Sequence, residues 1–142
     1  MKKYLLALLL LLPVISFAGH HKHDSITFYL DMTVAEGKSD GLQEFVSFLE
    51  ETVKKTEPNT MYYKYYISDD GKKVSLIEHY ANSKDALFHV NAFLVAPHRE
   101  QFLETFVITN FQVMGNSSDE LKKAMADFTK DHRKFIGGFK RK

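Results

Sequence analysis

Alternating apolar and polar positions predict four β-strands in this chain. Between residues 26 and 34 every second residue is apolar, which is the pattern of a strand with one buried side. Comparable segments recur later, and Asp69-Asp70-Gly71 between two of them is a hairpin turn signal. The predicted strands are 26–34, 60–68, 73–80 and 106–114.

Apolar residues at helical spacing predict helices between these strands. The first helix runs to about Lys55, and Ser39 is suited to capping its start. A second helix begins at Asn82-Ser83, and Pro97 ends or kinks it before another short helical stretch at 98–105.

The residues after the fourth strand predict a helical extension. Ser118 is suited to capping a short helix over residues 119–127. The segment 135–139 is apolar and carries two glycines, so we expect it to pack back against the body of the domain.

The order β-α-β-β-α-β predicts an α+β fold of the ferredoxin-like type. Helices cover only one face of such a sheet, yet the predicted strands carry large side chains on both faces, as at Phe28 and Tyr29. A second copy of the chain would cover the other face, because most soluble oligomers are symmetric. We therefore expect residues 26–142 to form one domain that pairs as a homodimer.

The first 18 residues have the order of a secretory signal peptide. Lys2 and Lys3 precede an apolar run, and small residues at Ser16 and Ala18 mark a cleavage site. The run is about half of the roughly 20 residues that span a bilayer, so no stable membrane anchor is expected. We expect cleavage after Ala18, a flexible histidine-containing tail over 19–25, and a periplasmic or secreted protein.

Charge and cysteine content exclude several classes of function. The 19 basic and 18 acidic residues include two lysines within residues 1–18, so the cleaved chain has a net charge of −1. This balance argues against nucleic-acid binding. The chain has no cysteine, which excludes disulfides, zinc–thiolate sites and cysteine nucleophiles.

A series of short motifs resembles the antibiotic biosynthesis monooxygenase (ABM) family. Glu57-Pro58-Asn59 stands where the family has a Glu-Pro-Gly bend, and we expect Asn59 to take the left-handed backbone of that glycine. The series continues through Tyr63, through Glu78-His79-Tyr80 at a strand end, and through Ala86 followed by His89 in the next helix. The resemblance covers about residues 26–139 and implies a dimeric α+β barrel.

The resemblance also implies a range of activities. Some members of the family are cofactor-free oxygenases of phenolic or quinol substrates, some degrade haem, and many have no demonstrated activity. The best-known oxygenase and haem-degrading members use an Asn and a Trp in the pocket, whereas this chain has no Trp. That departure argues against haem degradation, and no cofactor is expected.

His89 and Glu78 are the candidate catalytic residues. An imidazole near its free pKa can take a phenolic proton, and a buried carboxyl group at Glu78 would titrate high and could act as a base. Tyr80 shares the strand face of Glu78 and is expected to bind substrate with Tyr63, Tyr65 and His98. The structural alternatives are a histidine that ties helix to sheet, a glutamate paired with a tyrosine, and ordinary cross-strand packing.

The predicted mature N-terminus is a candidate metal site. Cleavage after Ala18 would leave Gly19-His20-His21, whose amine, two backbone amides and third-residue imidazole can form a square-planar site for Cu(II) or Ni(II). His23 could add a further ligand. The alternative is a histidine-bearing tail with only weak metal affinity.

Two functional hypotheses follow from the sequence. The first is an exported, cofactor-independent monooxygenase acting on a small aromatic or quinol-type substrate. The second is a non-catalytic periplasmic protein that binds a small hydrophobic ligand or a Cu or Ni ion. A pocket lined by Tyr63, Tyr80 and His89 serves either of these hypotheses. A third possibility is a plain structural dimer whose aromatic side chains are core, and the sequence leaves all three open.

Overall fold

The computed structural model describes residues 24–139 and 141, which form a sheet packed against helices. Four of its five strands and all of its longer helices follow the predicted order. The elements are β1 Ile26–Val34, α1 Leu42–Thr56, β2 Thr60–Ile67, β3 Lys73–Tyr80, α2 Ser83–Leu94, α3 Arg99–Thr105, β4 Phe106–Met114, α4 Asp119–Ala124 and β5 His132–Arg133.

The sheet has the strand order β2-β3-β1-β4-β5. Strands β1 to β4 pair antiparallel, and the short β5 adds a parallel edge beside β4. The register between β1 and β4 shifts at Asp31/Met32, where β4 has a bulge. The order of the first four strands is that of the ferredoxin-like fold, so the predicted fold class is confirmed.

One face of the sheet forms the core beneath α1 and α2. Alternate residues of β1 are buried from Ile26 to Met32, as the sequence pattern predicts. Helix α1 buries Phe45, Leu49 and Val53 against this face. Each such side chain contributes about 1.5–3 kcal/mol relative to an exposed position, so the helices are held mainly by this apolar face.

Helix starts follow the predicted caps in two of three cases. The Asn82 side chain accepts from the backbone N–H groups of Lys84 and Asp85, and the Ser118 hydroxyl accepts from that of Leu121. The predicted cap at Ser39 is wrong, because α1 begins after Gly41, whose left-handed backbone (φ +74°) turns the chain into the helix.

Three further expectations differ from the structure. Asn59 does not take a left-handed backbone, since every described residue with positive φ is a glycine; its amide donates instead to Asp85 at 3.0 Å. Helix α4 ends at Ala124 rather than Asp127. In the apolar tail, Ile136 and Phe139 do not pack back on the body, because they are 99% and 83% exposed.

Among the described residues, no helix covers the second face of the sheet. Tyr29 pairs with Ile77 and Gln112 across three strands of this face, and Tyr62 lies beside His79. Tyr66 is 54% exposed and Val107 52%. Large side chains on both faces were predicted, and the covering of this face by a second chain stays a prediction.

The predicted leader lies outside the described residues, as does most of the predicted tail over 19–25. Within residues 24–139, no helix is both long and apolar enough to cross a membrane. The candidate metal ligands His20, His21 and His23 fall outside this range as well. Among the described residues, no group of three or more His, Cys, Asp or Glu side chains is arranged to hold a metal ion.

Candidate functional site

Helix α2 places His89 against the sheet. The helix is fixed at its start by the Asn82 cap and presents Ala86, His89 and Val90 to the core at i, i+3 and i+4 spacing. His89 is buried, with 9% of its surface exposed. A polar ring at such a position needs polar partners, and the neighbouring elements provide them.

Glu57 is the partner of one ring nitrogen of His89. It caps the C-terminal end of α1, four residues beyond Val53, and so continues the buried side of that helix. His89 Nδ1 lies 2.9 Å from Glu57 Oε2 and 3.0 Å from Oε1, and the Thr60 hydroxyl donates to Glu57 Oε2 at 2.8 Å. Because an ionised carboxylate only accepts, Nδ1 donates, and a neutral ring therefore carries its lone pair at Nε2.

Glu78 faces the other ring nitrogen from the middle of the sheet. Its Oε1 lies 3.6 Å from His89 Nε2, and its Oε2 accepts a hydrogen bond from the Tyr80 hydroxyl at 2.6 Å. Both residues lie on the inner side of β3 and are buried. The Glu57–His89–Glu78 cluster thus places one imidazole between two carboxyl groups inside the domain.

The charges of this cluster are coupled. Burial raises the pKa of Glu78 by disfavouring its charged form, and this effect outweighs the opposing influence of His89 and of the Tyr80 hydrogen bond. Burial also disfavours a charged His89, but the negative charge of Glu78 and the hydrogen bond and charge of Glu57 prevail, so the pKa of His89 is raised. The cluster therefore retains protons that isolated side chains would release.

A narrow cavity of about 50 Å³ opens beside this cluster between the sheet and the helices. Glu78, His89 and Tyr63 form its polar end. Apolar side chains from β1, β4, α2 and the C-terminal segment form the rest, among them Leu30, Val90, Ile108, Phe111, Met125 and Phe128. We call this space the inner cavity.

A wider groove of about 320 Å³ reaches the same cluster from the surface. It runs between α1 and the α2–α3 connection, with Leu49 and Val53 on one side and Ala92 and Pro97 on the other. We call it the outer groove. It shares four lining residues with the inner cavity: Tyr63, His89, Phe93 and Phe102.

The structure brings four of the six predicted pocket residues to the walls of the inner cavity or the outer groove. His89, Glu78 and Tyr63 line the inner cavity, while His98 lines the outer groove and meets Phe48 edge-on at its mouth, with ring centroids 5.4 Å apart. Tyr65 lines neither space, but its hydroxyl lies 2.8 Å from that of Tyr63. The sixth, Tyr80, is fully buried behind Glu78 and lines neither space, so its hydroxyl positions Glu78.

Glu57, Phe93 and Phe102 belong to the site but were not among the predicted site residues. Glu57 was noted only as part of a bend, although its spacing of four residues from Val53 places it on the buried side of α1. A glutamate in that position signals a paired buried charge. Phe93 and Phe102 sit on separate helices, and their contact at 5.2 Å between ring centroids depends on how α3 folds back.

Several solved structures of other proteins share this architecture. No protein-family model and no curated protein sequence matches the chain. MupZ from Pseudomonas fluorescens superposes with a TM-score of 0.71 at 18% identity, over 82% of this chain and 94% of that one. A protein from Nitrosomonas europaea, assigned to the antibiotic biosynthesis monooxygenases, gives 0.56 at 18% identity over 67% and 92%.

A third structure carries a described activity. SnoaB from Streptomyces nogalater, a cofactor-independent oxygenase solved as a point mutant, superposes with a TM-score of 0.53 at 12% identity, over 67% of this chain and 95% of that one. This chain has the fold of the ABM proteins. The structural comparison therefore establishes the fold. At this level of identity it does not assign the activity of any neighbour to this chain.

Proposed function

We propose that this protein is an ABM-family, cofactor-independent monooxygenase of a small aromatic or quinol-type substrate. The observation that supports this most is the buried Glu57–His89–Glu78 cluster at the junction of two largely apolar spaces, the inner cavity and the outer groove. The fold shared with a described cofactor-independent oxygenase adds to it.

The geometry suits removal of a phenolic proton. Glu57 holds His89 Nδ1 as a donor, so a neutral ring accepts a proton at Nε2, and His89 lines both the inner cavity and the outer groove. The negative charge of both glutamates stabilises the imidazolium that results. A positioned base of this kind contributes about 10²–10⁴-fold to a rate.

The substrate supplies the electrons in this reaction. Deprotonation makes the aromatic ring electron-rich enough to reduce dioxygen at an activated ring carbon. When an aromatic ring C–H para to the hydroxyl becomes a carbonyl, dioxygen gives one oxygen atom to that carbon, the phenol becomes the second carbonyl of a quinone, and the other oxygen atom leaves as water with the ring hydrogen and the phenolic hydrogen. The outer groove, about 320 Å³ and largely apolar, is within the size range of small-molecule sites, and Tyr63, Phe93 and His98 would hold the ring there.

The experiment that tests this function is oxygen uptake with a panel of phenols and quinols. His89→Gln is expected to lower kcat/KM by about 10²-fold or more, since it removes the base and keeps a polar side chain. The matched control is His132→Gln, because His132 lies on β5, hydrogen-bonded to Ser117, and lines neither the cavity nor the groove. Equal rates in the two variants would exclude His89 as the base.

Export and metal binding are tested together by native mass spectrometry of protein taken from the periplasm. We propose cleavage after Ala18 and a dimer in that compartment, and the mass reports both. A retained organic molecule without oxygen uptake would favour the alternative function, a non-catalytic ligand-binding protein. Retained copper or nickel that is lost when the N-terminal amine is blocked would support the proposed site at His20, His21 and His23.

A further inference from the structure

The two spaces at the site differ sharply in size. The inner cavity of about 50 Å³ is a third of the roughly 150 Å³ that an apolar cavity needs to admit a benzene ring. The outer groove is about six times larger. An aromatic substrate therefore fits the groove, whereas the inner cavity accepts only a molecule of a few atoms.

The inner cavity also differs from the groove in chemistry. Apart from Glu78, His89 and Tyr63 at one end, its walls are aliphatic and aromatic side chains such as Leu30, Ile108 and Phe111. Away from that polar end, these walls give a water molecule few hydrogen-bond partners. A small apolar molecule loses nothing by entering and removes its own surface from water.

We propose that the inner cavity is a dioxygen site, separate from the aromatic-substrate site in the outer groove. This inference rests on the proposed monooxygenase function. Dioxygen is diatomic and apolar, which matches the size and walls of the cavity. The shared residues Tyr63, His89, Phe93 and Phe102 bring it next to a ring held in the groove.

The polar end of the cavity gives this arrangement a chemical purpose. Electron transfer from the deprotonated substrate leaves negative charge on the oxygen molecule. His89, which has just accepted the substrate proton, then stands at the cavity wall as an imidazolium and stabilises that charge. The same proton is available to the reduced oxygen, so the base is restored when water leaves.

Xenon tests the site without any need for activity, because it occupies small apolar cavities. Crystals of the mature protein pressurised with xenon are expected to show an atom between Val90 and Ile108. Val90→Ile adds one methylene to the cavity wall and is expected to remove that atom and to raise the KM for dioxygen at least threefold, with the KM for the quinol unchanged. Ile108→Phe fills the space from the opposite wall and is expected to act alike.

The matched control is Val113→Ile, the same substitution at a buried β4 position that lines neither space. It is expected to leave xenon binding and both KM values as in the wild type. Oxygen uptake without xenon in the cavity, or an unchanged KM for dioxygen in the filled variants, would overturn the dioxygen site and leave the proposed function standing. Xenon binding without oxygen uptake on any substrate would instead overturn the function, and the dioxygen role with it.

Discussion

His89 has a carboxyl group at each ring nitrogen, and this pairing decides how its surroundings titrate. Glu57 makes the close contact at 2.9 Å, while Glu78 stands at 3.6 Å and holds its second oxygen on the Tyr80 hydroxyl. Removing a partner from such a buried pair costs more than the pair itself contributes, because it strands a charge. The cluster is thus fixed in geometry while its proton content varies with pH.

The stability of the protein should fall as pH rises through this cluster. Glu78 and His89 both have a raised pKa in the folded state, so the folded protein binds more protons than the unfolded chain, and their contribution to stability is lost above the unfolded values of 4.5 and 6.5. Glu78→Gln removes one group and lowers the pKa of the other. Between about pH 5 and 8, the free energy of unfolding of the variant should therefore rise relative to that of the wild type, by up to about 1.4 kcal/mol per pH unit for each retained proton.

Urea unfolding at several pH values measures this difference. Glu44→Gln is the matched control, since it also removes one carboxyl group, on the exposed side of α1, and the pH dependence of Glu78→Gln is read relative to it. A constant difference between wild type and Glu78→Gln would show that the cluster does not retain protons.

At this scale the sequence predicts single residues better than pairs. Glu78 and His89 stand out because a polar residue interrupts an apolar strand face and an apolar helix face. Glu57 could not be paired with His89 in advance, because the two lie 32 residues apart. Their contact depends on how the end of α1 and the helix α2 are placed on the same face of the sheet, which no local pattern encodes.

Elements were predicted more completely than the connections that end them. The strand and helix order follows from alternation and helical spacing, and the Asn82 and Ser118 caps are as predicted. Ser39 fails as a cap because Gly41 offers a left-handed start to α1. In the apolar tail at 135–139, Ile136 and Phe139 stay exposed, and composition alone does not show where a surface exists that could bury them.

Among the described glycines, Gly115 is the one at which an added side chain would lower the stability most. It follows β4 with φ +121°, and a Cβ there would collide with the backbone carbonyl oxygen of Ser25 beside β1. Gly115→Ala should therefore lower the free energy of unfolding by at least about 2 kcal/mol, since neither backbone can yield freely. Gly37→Ala is the control, because Gly37 also has positive φ (+75°) but has open space around it.

The urea midpoints of the two glycine variants separate two causes of lost stability: the collision of a Cβ at residue 115 with the Ser25 carbonyl, and the strain of a left-handed backbone alone. Gly37→Ala carries the left-handed penalty alone, about 1–2 kcal/mol. A loss at Gly115 no larger than at Gly37 would mean that β1 and β4 separate at that end without cost.

Within residues 24–139, one face of the sheet is covered by helices and the other face is not. On the bare face, the Asp31 carboxylate accepts hydrogen bonds from the Tyr29 and Ser75 hydroxyls at 2.9 and 2.7 Å, so it has polar partners within the sheet. Around it stand exposed apolar and aromatic side chains, of which Tyr66 is 54% exposed. Exposed apolar surface of this kind on one side of a sheet is typical of a protein–protein interface. We therefore expect a second copy of the chain to cover this face.

We expect the protein to be a dimer that buries this bare face. Tyr66→Asp places a carboxylate in the interface and should raise the dimer dissociation constant at least 100-fold, because a buried unpaired charge costs about 3 kcal/mol or more. Phe88→Asp is the matched control: Phe88 is 56% exposed, but it lies on α2, on the helical side of the domain. Light scattering across a dilution series measures both. A wild-type monomer at micromolar concentration, or a dimer that Tyr66→Asp leaves intact, would show that the bare face is not where two copies meet.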